Sequence, residues 1–276
     1  MTHVTKEVLT LAPGEYCIRD YNLDNYYLIV GEKKACLIDT GSGIGNPLVE
    51  VREITDKEVM VLLTHGHLDH AGNAHHFDEV YMHEADHDLA LEHFGEVDLI
   101  KWYIETRGPV RYPDGDLEAL INMVPEEMPE RFSYHAVEEG DVFDLGGVSL
   151  EAIATPGHTP GSMSYLSSKT GFLYAGDALN EGIIIPDVEQ VRGSTRGEIK
   201  IMRDSLERLT AHCERITKIC MGHDGPFKDK SIIQDYLDLC NGLLDGTLEG
   251  QYEEEAIRAG YVVRKGLAEF WYEAHR

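Results

Sequence analysis

Four candidate donors in six positions, His65, His67, Asp69 and His70, follow directly on the apolar stretch Val59-Met60-Val61-Leu62-Leu63-Thr64. The stretch reads as a buried strand, and a loop rooted at a strand end is stiff enough to hold ligands in place. Imidazole nitrogen alternating with carboxylate oxygen is the donor mix that a divalent transition metal takes. Three further candidates, His158, Asp177 and His223, lie far downstream, each at the end of an apolar stretch and beside glycine. Together the donors exceed what one tetrahedral ion uses. The sequence therefore points to two metals.

Most of the other histidines need no such role. The chain holds 14, and a single histidine is more often packed or solvated than a ligand. His83 and His87, four apart, would share a helix face but are expected in solvent near a helix start. His75 and His76 are adjacent and diverge on a helix. Cys220, three before His223, lies in Ile216-Thr217-Lys218-Ile219-Cys220-Met221 and is expected in the core as a small hydrophobe.

Fifty acidic against 24 basic residues give a formal charge of −26. That field repels nucleic-acid backbones and anionic lipid surfaces, so neither partner is expected. Its ordinary consequence is solubility. No apolar run approaches the ~20 residues of a membrane span. With 276 residues, 42% of them hydrophobic, the chain can bury a core without disulfide staples. The five cysteines contain no Cys-x-x-Cys pair. With no signal-peptide pattern at Met1–Lys6, they are expected as reduced thiols of a cytoplasmic protein. One large domain over residues 1–276 is expected, as a monomer or a homodimer.

Tyr26–Val30 and Ala35–Asp39 flank Gly31-Glu32-Lys33-Lys34, a hairpin signal. A short helix before Asp56, the Val59–Thr64 strand and a strand over Glu79–Met82 suggest a layered α/β arrangement. From Glu84 to about Arg131 the strand pattern gives way to helical stripes, Leu99, Ile100, Tyr103, Ile104 and then Leu117, Leu120, Ile121, Val124, punctuated by Pro109, Pro113, Pro125 and Pro129. This reads as a helical insertion of short, one-sided helices, either a lid or wall over the metal loops or a structural appendage. Strands return at Asp141–Leu145, Val148–Ala154, Met163–Ser167 and Phe172–Ala175. A helix opens with a capping box, Thr195 and Glu198, and buries Ile199, Met202, Leu206 and Leu209. The strand Ile216–Met221 leads to His223, and Ser231–Leu244 is a second amphipathic helix. Asp245–Arg276 forms a carboxy-terminal extension with no clear pattern.

Taken together, His65-Gly66-His67-Leu68-Asp69-His70, Thr155-Pro156-Gly157-His158-Thr159-Pro160-Gly161-Ser162, Tyr174-Ala175-Gly176-Asp177 and Gly222-His223 resemble the metallo-β-lactamase-fold hydrolase superfamily. The resemblance spans roughly residues 20 to 225. It implies an α/β fold, a four-layer αβ/βα sandwich with metals at one sheet edge, here with the helical insertion added. It assigns His65, His67 and His158 to a first metal, Asp69, His70 and His223 to a second, and Asp177 to both. Zinc suits these donors, and iron or manganese could occupy them. Asp39 resembles the buried carboxylate that orients a ligand histidine, although an ordinary turn aspartate is equally consistent with Ile38-Asp39-Thr40-Gly41. In such a centre a hydroxide shared by two dications attacks the substrate, and Asp69 is the expected catalytic residue, orienting it and passing a proton to the leaving group.

Within that resemblance, export and a missing bridging carboxylate mark many β-lactamases proper, glutamate at His67 marks flavodiiron reductases, and a single iron marks persulfide dioxygenases. This chain matches none of these. Hydrolysis of a small ester, lactone or thioester is the expected reaction. A small-molecule phosphodiesterase and a metal-binding module without turnover stand as alternatives. Specificity is expected from the insertion and from Ala178–Arg196, with Trp102, Tyr103 and Tyr112 as a candidate apolar wall. Arg107, Arg111, Arg192 and Arg196 are candidate anchors for an anionic group, though for each residue alone packing or solvated surface is the stronger reading.

Overall fold

The computed structural model describes residues 5–129, 131–186 and 195–275. Its first sheet follows chain order: β1 (Glu7–Ala12), β2 (Glu15–Asp20), β3 (Asp24–Val30), β4 (Ala35–Ile38), β5 (Val59–Leu62), β6 (Val80–Met82) and β7 (His135–Ala136). The second contains β8 (Val142–Asp144), β9 (Ser149–Ala154), β10 (Met163–Ser167), β11 (Phe172–Gly176), β13 (Lys218–Met221) and β14 (Lys228–Asp229), in the order β14-β13-β11-β10-β9-β8.

Both sheets are covered on both faces, and the two-residue period of a strand shows how. In β3, β4 and β5, Tyr27, Ile29, Cys36, Ile38, Met60 and Leu62 point inward to meet Leu150, Ala152, Met163, Tyr165, Tyr174 and Cys220 of the second sheet. Their alternates Tyr26, Leu28, Leu37 and Val61 point outward, against Val51 of α1 (Leu48–Ile54), Ala71 of α2 (Leu68–Ala71) and Ala90 of α3 (His87–His93). On the far side Leu166, Leu173, Ala175, Ile219 and Met221 pack on α6 (Thr195–Thr210) and α7 (Ile232–Asp245). These near-continuous apolar strands are what burial on two faces demands. The result is the four-layer αβ/βα sandwich.

The helix face expected over Ile199, Met202, Leu206 and Leu209 is buried. The side chain of Thr195, and with it the capping box, lies outside the described residues. Cys220 is buried in the core, and all five cysteines are free thiols. Among the described residues no helix is long and apolar enough to cross a membrane.

Two regions depart from the sequence reading. Pro109 does not interrupt the insertion: α4 runs through it from Val97 to Arg111 and α5 covers Leu117–Met123. Its missing N–H removes one intrahelical bond, and α4 ends two residues later. The carboxy-terminal extension is ordered as β15 (Gln251–Glu255), β16 (Arg258–Lys265) and β17 (Ala268–His275), which join β12 (Gly182–Pro186) in a third sheet of order β12-β17-β16-β15. Phe270 and Val263 of this meander are buried against α7 and Ile183. Trp271 is buried with Val262 on its other face.

A candidate metal centre at the sheet edge

Each candidate donor follows the carboxyl end of a strand or lies on the short helix after it. His65 and His67 follow β5, Asp69 and His70 lie on α2, and His158 follows β9, while Asp177 and His223 follow β11 and β13. Bonds between the sheets fix this edge: Met163 N donates to Thr64 O at 2.7 Å, and Tyr165 Oη donates to Leu63 O at 2.9 Å. Tyr27 Oη donates to Met221 O at 2.6 Å. At Gly176 the backbone takes φ +50°, and a Cβ there would lie 2.3 Å from Thr64 Oγ1. Only glycine lets β11 pass Thr64 and turn Asp177 into the cluster.

The geometry brings all seven residues together. His65, His67 and His158 form one group, Asp69, His70 and His223 another, and His65, His70 and Asp177 a third, with the donor atoms of each group within 4.8 Å of one another. Asp177 stands between the first two groups. Its Oδ1 is 3.3 Å from His70 Nε2, and its Oδ2 lies 3.2 Å from His223 Nε2 and 3.6 Å from His158 Nε2. His223 Nε2 is also 3.4 Å from Asp69 Oδ2. His83 and His87 belong to no such group: His83 accepts from Ala85 N, and His87 Nδ1 meets Tyr134 Oη at 2.7 Å.

Electrostatics follow from burial and proximity. Burial alone would raise Asp177, but His223 and His70 hold its carboxyl well below the usual range. Burial would lower His70, yet Asp177, Asp39 and Asp69 raise it well above an ordinary histidine. His65 is pushed well below by burial and by His70 and His158, which keeps the imidazole neutral.

Two buried carboxylates hold the ligand loops. Asp39, at φ +62° after β4, accepts from Thr64 N at 2.7 Å and Thr64 Oγ1 at 2.8 Å, and its Oδ2 meets His70 Nδ1 at 2.8 Å. That contact leaves His70 Nε2 facing Asp177. Asp86, which the sequence reading passed over, is fully buried. It accepts from Gly66 N at 3.0 Å, Thr159 Oγ1 at 2.7 Å and Gly161 N at 2.7 Å. It thus ties the His65–His67 loop to the His158 loop. A Cβ at Gly161 would sit 2.7 Å from Asp86 Cγ, so this approach requires glycine.

The insertion closes one side. Ile100, Tyr103, Ile104, Leu120 and Val124 pack on Leu68 of the ligand loop and on Leu23. Tyr103 Oη lies 2.7 Å from Asp24 Oδ1 and 2.9 Å from Asp69 Oδ2. A phenol has one proton to donate. Burial first, then Asp69 and Asp20, raise the Asp24 carboxyl well above the usual carboxylate range. His223 Nδ1 lies 2.9 Å from Leu23 O, and Arg111 Nη1 donates to the same carbonyl at 2.6 Å while touching that ring nitrogen. A cavity of about 430 Å³ opens over Asp69, His158, Asp177 and His223.

A family model for the metallo-beta-lactamase superfamily matches residues 22–212. The chain belongs to this superfamily. Acyl-coenzyme A thioesterase MBLAC2 of Homo sapiens is 26% identical over 220 residues, 75% of this chain and 75% of that protein. MBLAC2 of Gallus gallus is 28% identical over 173 residues, and there the chain spans 60% of the relative's length. Hydroxyacylglutathione hydrolase GloC of Haemophilus influenzae is 26% identical over 187 residues, 66% of this chain and 81% of that protein. In structure, a metallo-beta-lactamase family protein from Thermus thermophilus superposes with TM-score 0.55 at 23% identity, covering 86% of this chain and 80% of that one. At such identity the likeness concerns the fold alone.

In this metallo-beta-lactamase superfamily member, Tyr103, Arg107 and Arg111 line the cavity as the sequence suggested. Trp102 is instead 39% exposed, and Tyr112 packs with the apolar side of the insertion. Arg196 reaches Leu244 O on α7, and Arg192 lies outside the described residues. Asn180, Glu181, Gly182 and Ile184, within the expected Ala178–Arg196 stretch, line the cavity too, and the unpatterned carboxy-terminal segment adds Ile257, Arg258, Arg264, Leu267 and Glu269. Its alternating strand residues carried a usable signal in Tyr261-Val262-Val263 and Phe270-Trp271-Tyr272. The strand that β17 pairs with, β12, lies far upstream.

Proposed function

We propose that this chain is a two-metal hydrolase that cleaves a small thioester. The observation that carries this reading is the position of Asp177 between the two donor groups, with one oxygen toward His70 and the other toward His158 and His223. The donor set fits metals on its own chemistry. His65 Nε2 is buried without a hydrogen-bond partner among the described residues, a costly state unless a cation takes the lone pair, and His70 Nε2 faces the Asp177 carboxylate at 3.3 Å. His65, His67 and His158 would hold one divalent ion, Asp69, His70 and His223 a second, and Asp177 both. Zinc suits nitrogen with carboxylate, and iron or manganese accept the same donors. When bound, such a pair supplies Lewis acidity and a water nucleophile at neutral pH.

The side chains do the remaining work. Asp69, held by Tyr103, takes the proton of the attacking water as the new carbon–oxygen bond forms. It then returns that proton to the sulfur as the carbon–sulfur bond breaks. Thioesters are favoured over oxygen esters and lactones because two relatives are named for thioester hydrolysis. The substrate is a small molecule, and the acidic surface gives no footing to nucleic acid or anionic membrane.

Elemental analysis with a substrate panel tests the reading. About two metals per chain are expected, with turnover of S-acyl thioesters exceeding that of lactones, bis(p-nitrophenyl) phosphate and a chromogenic β-lactam. Asp177→Ala should lower the stoichiometry toward one. Metal-loaded protein that turned over only the phosphodiester, or nothing, would overturn the proposal.

A further inference from the structure

A second cavity, of about 510 Å³, adjoins the first, and the two share Arg111, Asp224, Ile257 and Arg258. Its lining sets three guanidinium groups, Arg19, Arg111 and Arg258, against two carboxylates, Asp224 and Glu255. Arg19 also faces Glu7 at 3.6 Å, and Arg258 also meets Glu269, so carboxylates hold both guanidiniums in place. Two of these arginines keep unused donors. Arg19 Nη2 donates to Asp224 O at 3.3 Å, while its Nε is buried with no partner among the described residues. Arg258 donates through Nε to Glu255 at 3.0 Å and through Nη2 to Glu269, and lies over the Trp271 ring at 4.4 Å. No hydrogen bond from its Nη1 is present among the described residues. Arg107, from the insertion, donates to Ile257 O and fixes the β15–β16 turn that carries Arg258. A guanidinium locked by an aromatic face and two carboxylates, with one edge free toward a cavity, is preorganised to bind an anion.

We propose that the second cavity binds the anionic end of the substrate's thiol carrier, with Arg258 and Arg19 as the groups that hold it, while the thioester lies in the first cavity beside Asp69. This rests on the thioesterase reading and narrows it to carriers bearing phosphate or carboxylate. Two joined cavities also suit an elongated carrier better than a bare acyl ester.

The test compares acetyl-coenzyme A (phosphates), S-lactoylglutathione (carboxylates) and neutral S-acetyl-N-acetylcysteamine on metal-loaded protein. The better charged substrate should exceed the neutral one in kcat/KM by about tenfold or more, the scale of charged hydrogen bonds, and which of the two leads identifies the anion. Added salt should raise KM for the charged substrate selectively. Arg258→Gln and Arg19→Gln should each cut the charged-to-neutral ratio, with Arg258→Lys restoring part of it. Equal kcat/KM for charged and neutral thioesters overturns the subsite and leaves the thioesterase reading standing. Turnover of no thioester overturns that reading, and titration calorimetry with free coenzyme A and S-methylglutathione then judges the subsite. Binding weakened by Arg258→Gln supports it, and no binding, or binding unchanged by the variant, overturns it.

Discussion

Tyr103 donates its hydroxyl to Asp69 Oδ2 at 2.9 Å, so a residue of the helical insertion sets the orientation of a carboxylate on the ligand helix of the sandwich. The insertion is therefore a wall of the site. The same hydroxyl touches buried Asp24 at 2.7 Å, and removing it would strand two carboxyl groups. Tyr103→Phe should lower kcat by about ten- to a hundredfold with a smaller change in KM, and cost about 1–3 kcal/mol of stability. Steady-state kinetics and denaturant titration read the two effects, and an unchanged kcat would remove Tyr103 from the mechanism.

Asp69→Asn keeps the shape and one oxygen ligand but loses the basic oxygen. Folding and much of the bound metal should survive, while hydrolysis falls by about 10²-fold or more, the range for a lost general acid–base group. Near-wild-type turnover with retained metal would contradict the proton-carrying role.

Asp86 accepts two backbone amides and a hydroxyl from both loops that carry His65, His67 and His158. Asp86→Ala would leave those donors buried and unpaired, at a cost of about 1–3 kcal/mol each before relaxation. Its distinctive consequence is selective: chelator competition should show weakened binding of one metal while the other holds. Equal weakening of both would mean a general loss of structure.

His75 packs against His76 at 4.0 Å and Phe94 at 5.7 Å. Burial first, and His76 second, pull its pKa down from 6.5 to about 4. The unfolded chain therefore binds this proton more readily than the native state. The stability contribution is complete above pH 6.5 and is lost as the pH falls through about 4. Thermal midpoints from pH 7 to 4 should fall less steeply in His75→Gln than in the parent protein, and parallel curves would count against it. The group is half-exposed, so solvent screening makes the effect modest.

The strands and ligand loops were legible because burial on two faces writes itself into adjacent residues. Val59–Leu62 alternates outward valine with inward methionine and leucine, and the donors follow within a few positions. Asp86 was illegible for the opposite reason: its partners, Gly66, Thr159 and Gly161, lie 20 to 75 positions away, and one buried aspartate leaves no periodic trace. Arg258 was hidden likewise. Its place in the cavity wall depends on β17 pairing with β12, which closes the meander over the cavity.

Alternation and short-range spacing are local properties, so the bare chain was enough to define the sandwich and to single out the candidate donors. Long-range packing settled the rest: which loops Asp86 clamps, and that insertion and meander meet at the Arg107–Ile257 contact. Those relationships join segments distant in the chain, and no local pattern encodes them.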